Sequence, residues 1–177
     1  MKRFLLAVLV WTAPLLAQNP ATDPRTAAGC GPLHSEFSVK VDKNDHNLQQ
    51  PDPGKALVYV IVQERPDYAL KIGDVTTRIG VDGNWVAANH GPSYAVFAIS
   101  PGDHRICVDW QSSLEARQKL NGAVNLSAQA GKTYFYRTLV NIESPEQSAG
   151  LWFEAVDPAE GMLLVSKTGK SVWKEKK

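Results

Sequence analysis

Short apolar segments separated by tight-turn residues recur along the chain from Pro53 onward. The first, residues 56–62 (ALVYVIV), is apolar on both faces and rich in β-branched side chains, which favours a strand covered on both sides. This period-two pattern, with a turn signal roughly every ten residues, predicts a mostly β fold: an antiparallel β-sandwich of about 7–8 strands with one or two short helices. The further strands are predicted at 76–81, 85–89, 94–99, 105–110, 124–128, 133–140 and 151–156.

Two dipeptides predict tight turns, namely Asp82-Gly83 with positive φ at both positions and Pro101-Gly102. A hairpin closed at Asp82-Gly83 fixes the register of its two strands. The predicted pairs are Val81 with Asn84, Gly80 with Trp85, and Ile79 with Val86.

In this register Ile79 and Val86 suit the core side, so we expect Trp85 on the opposite face with its indole over the bare backbone of Gly80. That face is either covered by the preceding segment or is a binding surface. The residues assigned to a possible binding surface are Trp85, Asn89, His90 and Tyr94. The other strand aromatics, including Trp110 and Trp152, are predicted mostly as core.

Helix signals occur twice. Residues 112–115 (SSLE) fit a capping box, and Asn121-Gly122 fits a helix stop, so a short helix or an ordered loop is predicted between them. Asp157 fits an N-cap before Pro158, so a second helix is predicted that ends near Gly169, with residues 162–165 over one open end or edge of the sandwich. The alternative is a loop that leads into a final strand at 162–166.

The N-terminus has the pattern of a secretory signal peptide. A basic start is followed by an almost wholly apolar run that ends at Ala17. The run is shorter than the about 20 residues that cross a bilayer, so we predict cleavage near Ala17 and a periplasmic or secreted chain without a transmembrane segment. The predicted organisation is a signal peptide (1–17), a polar leader with several prolines (18–52), a β-sandwich domain (53–169) and a frayed basic tail (170–177).

Within the leader, the prolines disfavour regular elements, but residues 37–41 alternate and predict a short edge strand. Ala27-Ala28-Gly29-Cys30 is similar to a lipoprotein cleavage box, but it does not directly follow the apolar run. We therefore interpret Cys30 as a cysteine of the mature chain.

Cys30 and Cys107 are the two cysteines of the chain, and export predicts that they form a disulfide. Ile106 and Val108 look like core residues, so Cys107 between them faces outward, within reach of a leader lying across the sheet. The disulfide would attach the leader covalently to the predicted β-sandwich. The alternative is Cys107 as a nucleophile with His104 as its base.

The stretch from Val81 to Val86 (VDGNWV), with Ser93-Tyr94 and the later residues 100–104 (SPGDH), resembles an uncharacterised bacterial family of small exported β-sandwich proteins, many of them lipoproteins. It is more loosely similar to PEGA repeats. The resemblance covers residues 53–168. Its motifs are turn chemistry, so it implies a fold and no catalytic residue.

Composition and spacing argue against several functions. With 19 Lys and Arg against 18 Asp and Glu, the net charge of +1 gives no reason to expect nucleic acid or an acidic membrane surface. None of the four histidines has a partner at metal-ligand spacing, and no hydrolase motif or phosphate cradle is present, so neither a metal nor a cofactor is predicted.

The sequence therefore predicts a non-catalytic binding or structural module of the bacterial envelope that binds a protein partner through an edge strand or the end loops. The alternative is a carbohydrate-binding module that uses exposed aromatics, with Trp85 foremost. A hydrolase whose site lacks a recognisable motif is the third hypothesis.

Overall fold

A computed structural model describes residues 23–63, 75–111, 120–142 and 149–176. The predicted signal peptide and the capping box at 112–115 lie outside these residues. The described residues form ten strands and two helices. They are α1 (Pro24–Ala27), β1 (Phe37–Asp42), β2 (Ala56–Gln63), β3 (Thr76–Val81), β4 (Asn84–His90), β5 (Ser93–Ile99), β6 (Gly102–Gln111), β7 (Asn121–Ala128), β8 (Thr133–Ile142), β9 (Ala149–Ala155), α2 (Pro158–Lys167) and β10 (Gly169–Glu175).

The strands form two sheets, so the mostly β prediction is confirmed, with more strands than predicted. One sheet has the order β1-β10-β5-β2-β8-β9 and the other β4-β3-β6-β7. The expectation of purely antiparallel pairing is wrong, because β2 pairs with β8 and β10 pairs with β5 in parallel. The main hydrophobic cluster draws side chains from both sheets, among them Val58 and Val60 of β2 with Ile79, Ile106 and Val108. We call the sheet faces that share this cluster inner and the opposite faces outer.

β1 and β10 extend the larger sheet beyond the segment predicted as the domain. β1 confirms the predicted edge strand of the leader, and it pairs antiparallel with β10. The prediction of a frayed basic tail is wrong, since β10 has strands on both sides and Trp173 packs against the main cluster. The chain around Pro24 also corrects the expectation of an irregular leader, because Pro24 begins α1.

The β3–β4 hairpin keeps the predicted turn and only part of the predicted register. Asp82 and Gly83 both have positive φ, at 50° and 86°. Gly80 faces Trp85 as expected, but Ile79 faces Ala87 and not Val86. A bulge at Val86 adds one residue to β4, and this reverses the side-chain alternation in the rest of the strand.

α2 confirms the predicted helix. The Asp157 carboxylate accepts the Ala159 N–H at 2.8 Å, as an N-cap should. The helix lies on β8 and β2, on the outer face of the larger sheet and not at an end or edge. Val165 is buried there with Tyr59 and Phe135 in a second apolar cluster.

The predicted helix stop at Asn121-Gly122 is wrong, because both residues belong to β7. Gly122 lies on the inner face against Phe153 of β9, where a Cβ would be 2.9 Å from the Phe153 Cβ. The absence of a side chain therefore lets β7 and β9 approach each other along one side of the molecule.

We predict that Gly161→Ala destabilises the protein, although alanine is the better helix former by about 1 kcal/mol. A Cβ at Gly161 would overlap the Phe135 ring, and overpacking of this kind costs about 1–3 kcal/mol. Urea unfolding measures the change. Ser166→Ala, on the exposed side of the same helix, should stay within about 0.5 kcal/mol of the parent; equal stability of both variants would show that α2 does not pack through Gly161.

Candidate functional site

The leader lies across the outer face of the smaller sheet. Cys30 and Cys107 form the predicted disulfide, with their Cα atoms 5.0 Å apart. The backbone of residues 29–31 lies on Gly80, where a Cβ would be 2.5 Å from the Gly29 carbonyl oxygen. Leader backbone thus covers Gly80, which corrects the expectation that the Trp85 indole does so. Because Cys107 carries no thiol in this bond, it is not available as a nucleophile for His104.

Trp85 is held by the leader. Its Nε1 donates to the Pro32 carbonyl at 2.8 Å, and a Cβ at Gly31 would lie 2.6 Å from the indole ring. On another side, the Arg78 guanidinium carbon lies 4.7 Å from the ring centroid, in a cation–π contact. The indole is therefore sandwiched between the leader and Arg78, and it helps to fix the leader in place.

A buried carboxylate accounts for the position of the leader. Asp109 lies on the outer face of β6 and is fully buried. The Arg78 Nη2 donates to it at 2.7 Å, and Arg25 of the leader donates to the same oxygen. Arg78 also donates to the carbonyls of Leu33 and Ser35, each at 2.7 Å. We call Arg25, Arg78 and Asp109 the leader clamp, since they join two leader segments to the sheet.

The electrostatics of the clamp explain why it needs both arginines. Burial lowers the pKa of Arg78, and the neighbouring Asp109 carboxylate opposes that shift by favouring the charged guanidinium. A lone carboxylate at this depth would lose its hydration without compensation. When the leader docks, Arg25 brings a second positive charge and the leader carbonyls accept from Arg78.

The four residues assigned to a binding surface do not form one. Asn89 is fully buried, and its Nδ2 donates to the Val60 carbonyl of the other sheet at 3.0 Å. The Tyr94 ring is also buried; its hydroxyl donates to the Asp45 carbonyl, and burial raises its pKa. His90 hydrogen-bonds the Thr76 hydroxyl at 3.1 Å. The bulge at Val86 is the physical reason that Asn89 faces inward.

His104 joins two turns. Its Nδ1 lies 2.6 Å from the Asp82 carboxylate and its Nε2 lies 2.9 Å from the Ser100 carbonyl oxygen. Both partners are acceptors, so the geometry favours an imidazolium that donates from both nitrogens. Burial opposes the charge, but the hydrogen bonds to Asp82 and Ser100 outweigh it and raise the pKa of His104. With both nitrogens occupied, His104 has a structural role in this arrangement.

Among the described residues, the large aromatic side chain with the most exposure is Trp152, at 51% of its full accessible surface. It lies on the outer face of β9, where Leu139 of β8 is its cross-strand partner. Beside this apolar pair, Arg137 donates to Glu154 of β9 and, at 2.7 Å, to Glu160 of α2. We call these five residues the Trp152 surface: an apolar centre with a charged rim.

Sequence reasoning missed the Trp152 surface because it assigned most strand tryptophans to the core. The strand β9 has alternating apolar residues, and Leu151 and Phe153 face inward, where both pack against the main cluster. A signal was present in the sequence, since Trp152 lies between these two residues and must point the other way.

No group of three or more His, Cys, Asp or Glu side chains in the described ranges could hold a metal ion. In the same part of the chain, no helix is both long enough and apolar enough to cross a bilayer. Comparison with known proteins gives no family model that matches this sequence and no curated protein that matches it significantly.

We predict that Arg78→Met destabilises the protein by about 3–5 kcal/mol, because it removes one counter-charge from the buried Asp109 carboxylate. Urea unfolding of the oxidised protein measures the loss. The matched control is Arg137→Met in the exposed rim of the Trp152 surface, which should cost less than about 1 kcal/mol. If the two variants lose the same amount, the clamp does not depend on burial.

The His104 contact predicts a pH-dependent stability. Because folding raises the pKa of His104 above its ordinary value of 6.5, its contribution is full below that pH and is lost as the pH rises through the folded-state pKa. The difference in unfolding free energy between the parent and His104→Gln should therefore be larger at about pH 5.5 than at about pH 8.5. Denaturant unfolding of both proteins at each pH measures it. In the Asp82→Asn background the same comparison should show a much smaller pH dependence; an unchanged one would remove Asp82 as the cause.

Proposed function

We propose that this chain is an exported, non-catalytic binding or structural module of the bacterial envelope that binds a protein partner through the Trp152 surface. The observation that carries the proposal is the half-exposed indole of Trp152 on the outer face of an edge strand. Tryptophan is among the residues that contribute most binding energy at protein interfaces.

The fold supports the proposal as a rigid scaffold. The two sheets share one cluster of apolar side chains across their inner faces, which supports the β-sandwich class. The inner side of β9 is used in this packing through Leu151 and Phe153. Trp152 is thus exposed to solvent on a strand whose inner side is held in place by the packing of Leu151 and Phe153.

The disulfide supports export. Disulfide bonds form and persist mainly in oxidising compartments such as the periplasm and the cell exterior. The Cys30–Cys107 bond closes a separation of 77 residues, for which the chain-entropy model gives a stabilisation of about 4–5 kcal/mol as an upper figure. A bond that holds the leader on the sheet suits a protein that folds after secretion.

The side chains of the Trp152 surface favour a protein over a carbohydrate as the binding partner. An apolar centre with a charged rim is the usual composition of a protein interface. Sugar sites combine an aromatic ring with polar side chains that are free to bind hydroxyl groups. Here both glutamates of the rim, Glu154 and Glu160, are already paired with Arg137. A carbohydrate-binding module that stacks a sugar on Trp152 is the second candidate, because the exposed indole face would also suit that role.

We predict that an aromatic photo-crosslinking amino acid in place of Trp152, which keeps a ring at this position, forms a discrete adduct with an envelope protein in living cells. Gel shift and mass spectrometry identify the adduct. The control carries the same amino acid in place of Val172, which is also exposed on the larger sheet, and should give no such adduct. In a competition experiment against the crosslinking variant, Trp152→Ala should fail to bind the partner. Its unfolding free energy should change little, because the Trp152 side chain is half exposed.

The same design separates the candidates. A discrete protein adduct at position 152 alone supports the proposal. Adducts of equal yield at both positions, or none at either, contradict it. Retention of the parent on purified peptidoglycan or glycan arrays, lost in Trp152→Ala, would establish the carbohydrate-binding alternative in its place.

We further predict that the mature protein begins close to Gln18, because the basic start, apolar run and Ala17 fit a cleaved signal peptide. Mass spectrometry of protein recovered from cell fractions measures the N-terminus and the compartment. Met1 retained on a cytoplasmic protein would overturn export.

A further inference from the structure

β8 is longer than the strand that pairs with it, and this leaves a cavity. The β8–β9 pairing begins at Tyr136, whereas β8 itself begins at Thr133. After β9 the chain turns away toward α2 at Pro158. The space between the start of β8 and this connection is a cavity of about 470 Å³, within the range of small-ligand sites. It is lined in part by Lys132, Thr133, Tyr134, Tyr136, Val156 and Pro158.

The charge of the cavity lining is positive. Among the described residues that line the cavity, Lys132 is exposed and is the one charged side chain, and none of them is a carboxylate. The tyrosine rings, Val156 and Pro158 give the walls an apolar character. A lining of this kind favours a ligand with an apolar body and a negative charge at the rim.

Several polar groups of the lining already have partners. The Tyr134 hydroxyl accepts the Gln129 N–H at 3.0 Å and donates to the Ser127 carbonyl at 3.3 Å. The Ser127 hydroxyl donates to the Asp103 carboxylate at 2.5 Å. These contacts hold Tyr134 in the lining of the cavity. The donors that the lining offers to a ligand include the Lys132 ammonium and the Tyr136 hydroxyl at its two ends, together with the Gln129 amide and the Thr133 hydroxyl.

Tyr136 is the unusual member of the lining. Only 4% of its surface is exposed, and burial raises its pKa. Among the residues that the structure describes, its hydroxyl has no hydrogen-bond partner. Its hydroxyl oxygen is not one of the fully buried side-chain atoms that lack a partner, so it keeps contact with solvent, and an acceptor on a ligand would take the place of water there.

The spacing of the two donors sets the length of the ligand. Lys132 and Tyr136 are four residues apart, and their Cα atoms are separated by about 13 Å at the rise of about 3.3 Å per strand residue. The long Lys132 side chain shortens the gap between the two polar groups. The ligand therefore needs an acceptor at each end and an apolar part between them.

We propose that this cavity binds a small aromatic monocarboxylate that carries a second oxygen at the far end of its ring. The carboxylate lies at the rim beside Lys132, the ring lies against Tyr134, Val156 and Pro158, and the second oxygen accepts from the Tyr136 hydroxyl. This site is separate from the protein-binding role proposed for the Trp152 surface, since Trp152 does not line the cavity.

The test uses the oxidised full chain and three probes of one shape: 4-hydroxybenzoate, benzoate without the far oxygen, and 4-hydroxybenzyl alcohol without the carboxylate. Calorimetry and NMR titration measure binding. We expect 4-hydroxybenzoate to bind most tightly, benzoate more weakly, and the alcohol weakest, with shifts at the amides of Tyr134 and Val156.

Two variants assign the contacts. Lys132→Met should weaken both acids by roughly tenfold, the value of a lost charge-assisted hydrogen bond. Tyr136→Phe should weaken 4-hydroxybenzoate by roughly fivefold and leave benzoate unchanged. Because the Tyr136 hydroxyl has no protein partner in the described residues and is not a fully buried unpaired atom, this variant should fold with about the parent's stability. Lys174→Met, at an exposed lysine of β10, is the matched control.

The proposal is overturned if no probe binds at millimolar concentration, if the alcohol binds as tightly as the acids, or if Lys174→Met weakens binding as much as Lys132→Met. Equal effects of Tyr136→Phe on 4-hydroxybenzoate and benzoate would equally overturn the assigned orientation. Trp152→Ala should bind the acids as the parent does, so failure here and failure of the protein-binding proposal are distinguishable.

Discussion

The buried carboxylate of Asp109 is the constraint on which much of the architecture depends. It lies on the outer face of a sheet, where a charge stays buried only if counter-charges and a cover come with it. Arg78 supplies one charge from the neighbouring strand, and Arg25 supplies the other from the leader. The smaller sheet is therefore complete only when the leader is docked, so the leader is part of the folded domain.

The docked leader also determines the larger sheet. Arg78 donates to the carbonyls of Leu33 and Ser35, four and two residues before β1 begins at Phe37, so the clamp positions the segment that enters β1. The Gln111 side chain then bonds both the N–H and the carbonyl of Phe37. β1 in turn gives β10 a partner. The two ends of the described chain thus meet in one sheet because of a contact made on the other sheet.

Local chemistry was predictable from the sequence where a few adjacent residues decide it. The Asp82-Gly83 turn and the Asp157 cap follow from φ preferences and side-chain acceptors within three residues, and the structure shows both. The disulfide was also predictable, because alternation placed Cys107 on the outer face. The bulge at Val86 had no such signal. One inserted residue reversed the alternation, so Asn89 is buried in the core and the predicted binding surface does not exist as one surface. β10 was missed because its charged residues, Lys170, Lys174 and Glu175, outnumber its apolar side chains, Val172 and Trp173, although Trp173 faces the core.

The exposure of Trp152 follows from how the outer face of the larger sheet is covered. An α-helix is about 10 Å wide and strands lie about 4.8 Å apart, so a single helix covers about two strands. α2 lies on β8 and β2. Farther along the sheet, Asp45 and Gln49 of the leader hydrogen-bond the hydroxyls of Tyr94 and Tyr59 and cover that region. Strand β9 lies beyond the helix on the other side, where its link to α2 is the Arg137 bridge from Glu154 to Glu160. Trp152 is thus exposed at the uncovered edge because of the strand order and the width of the helix. The alternation of residues within one strand predicts neither of these.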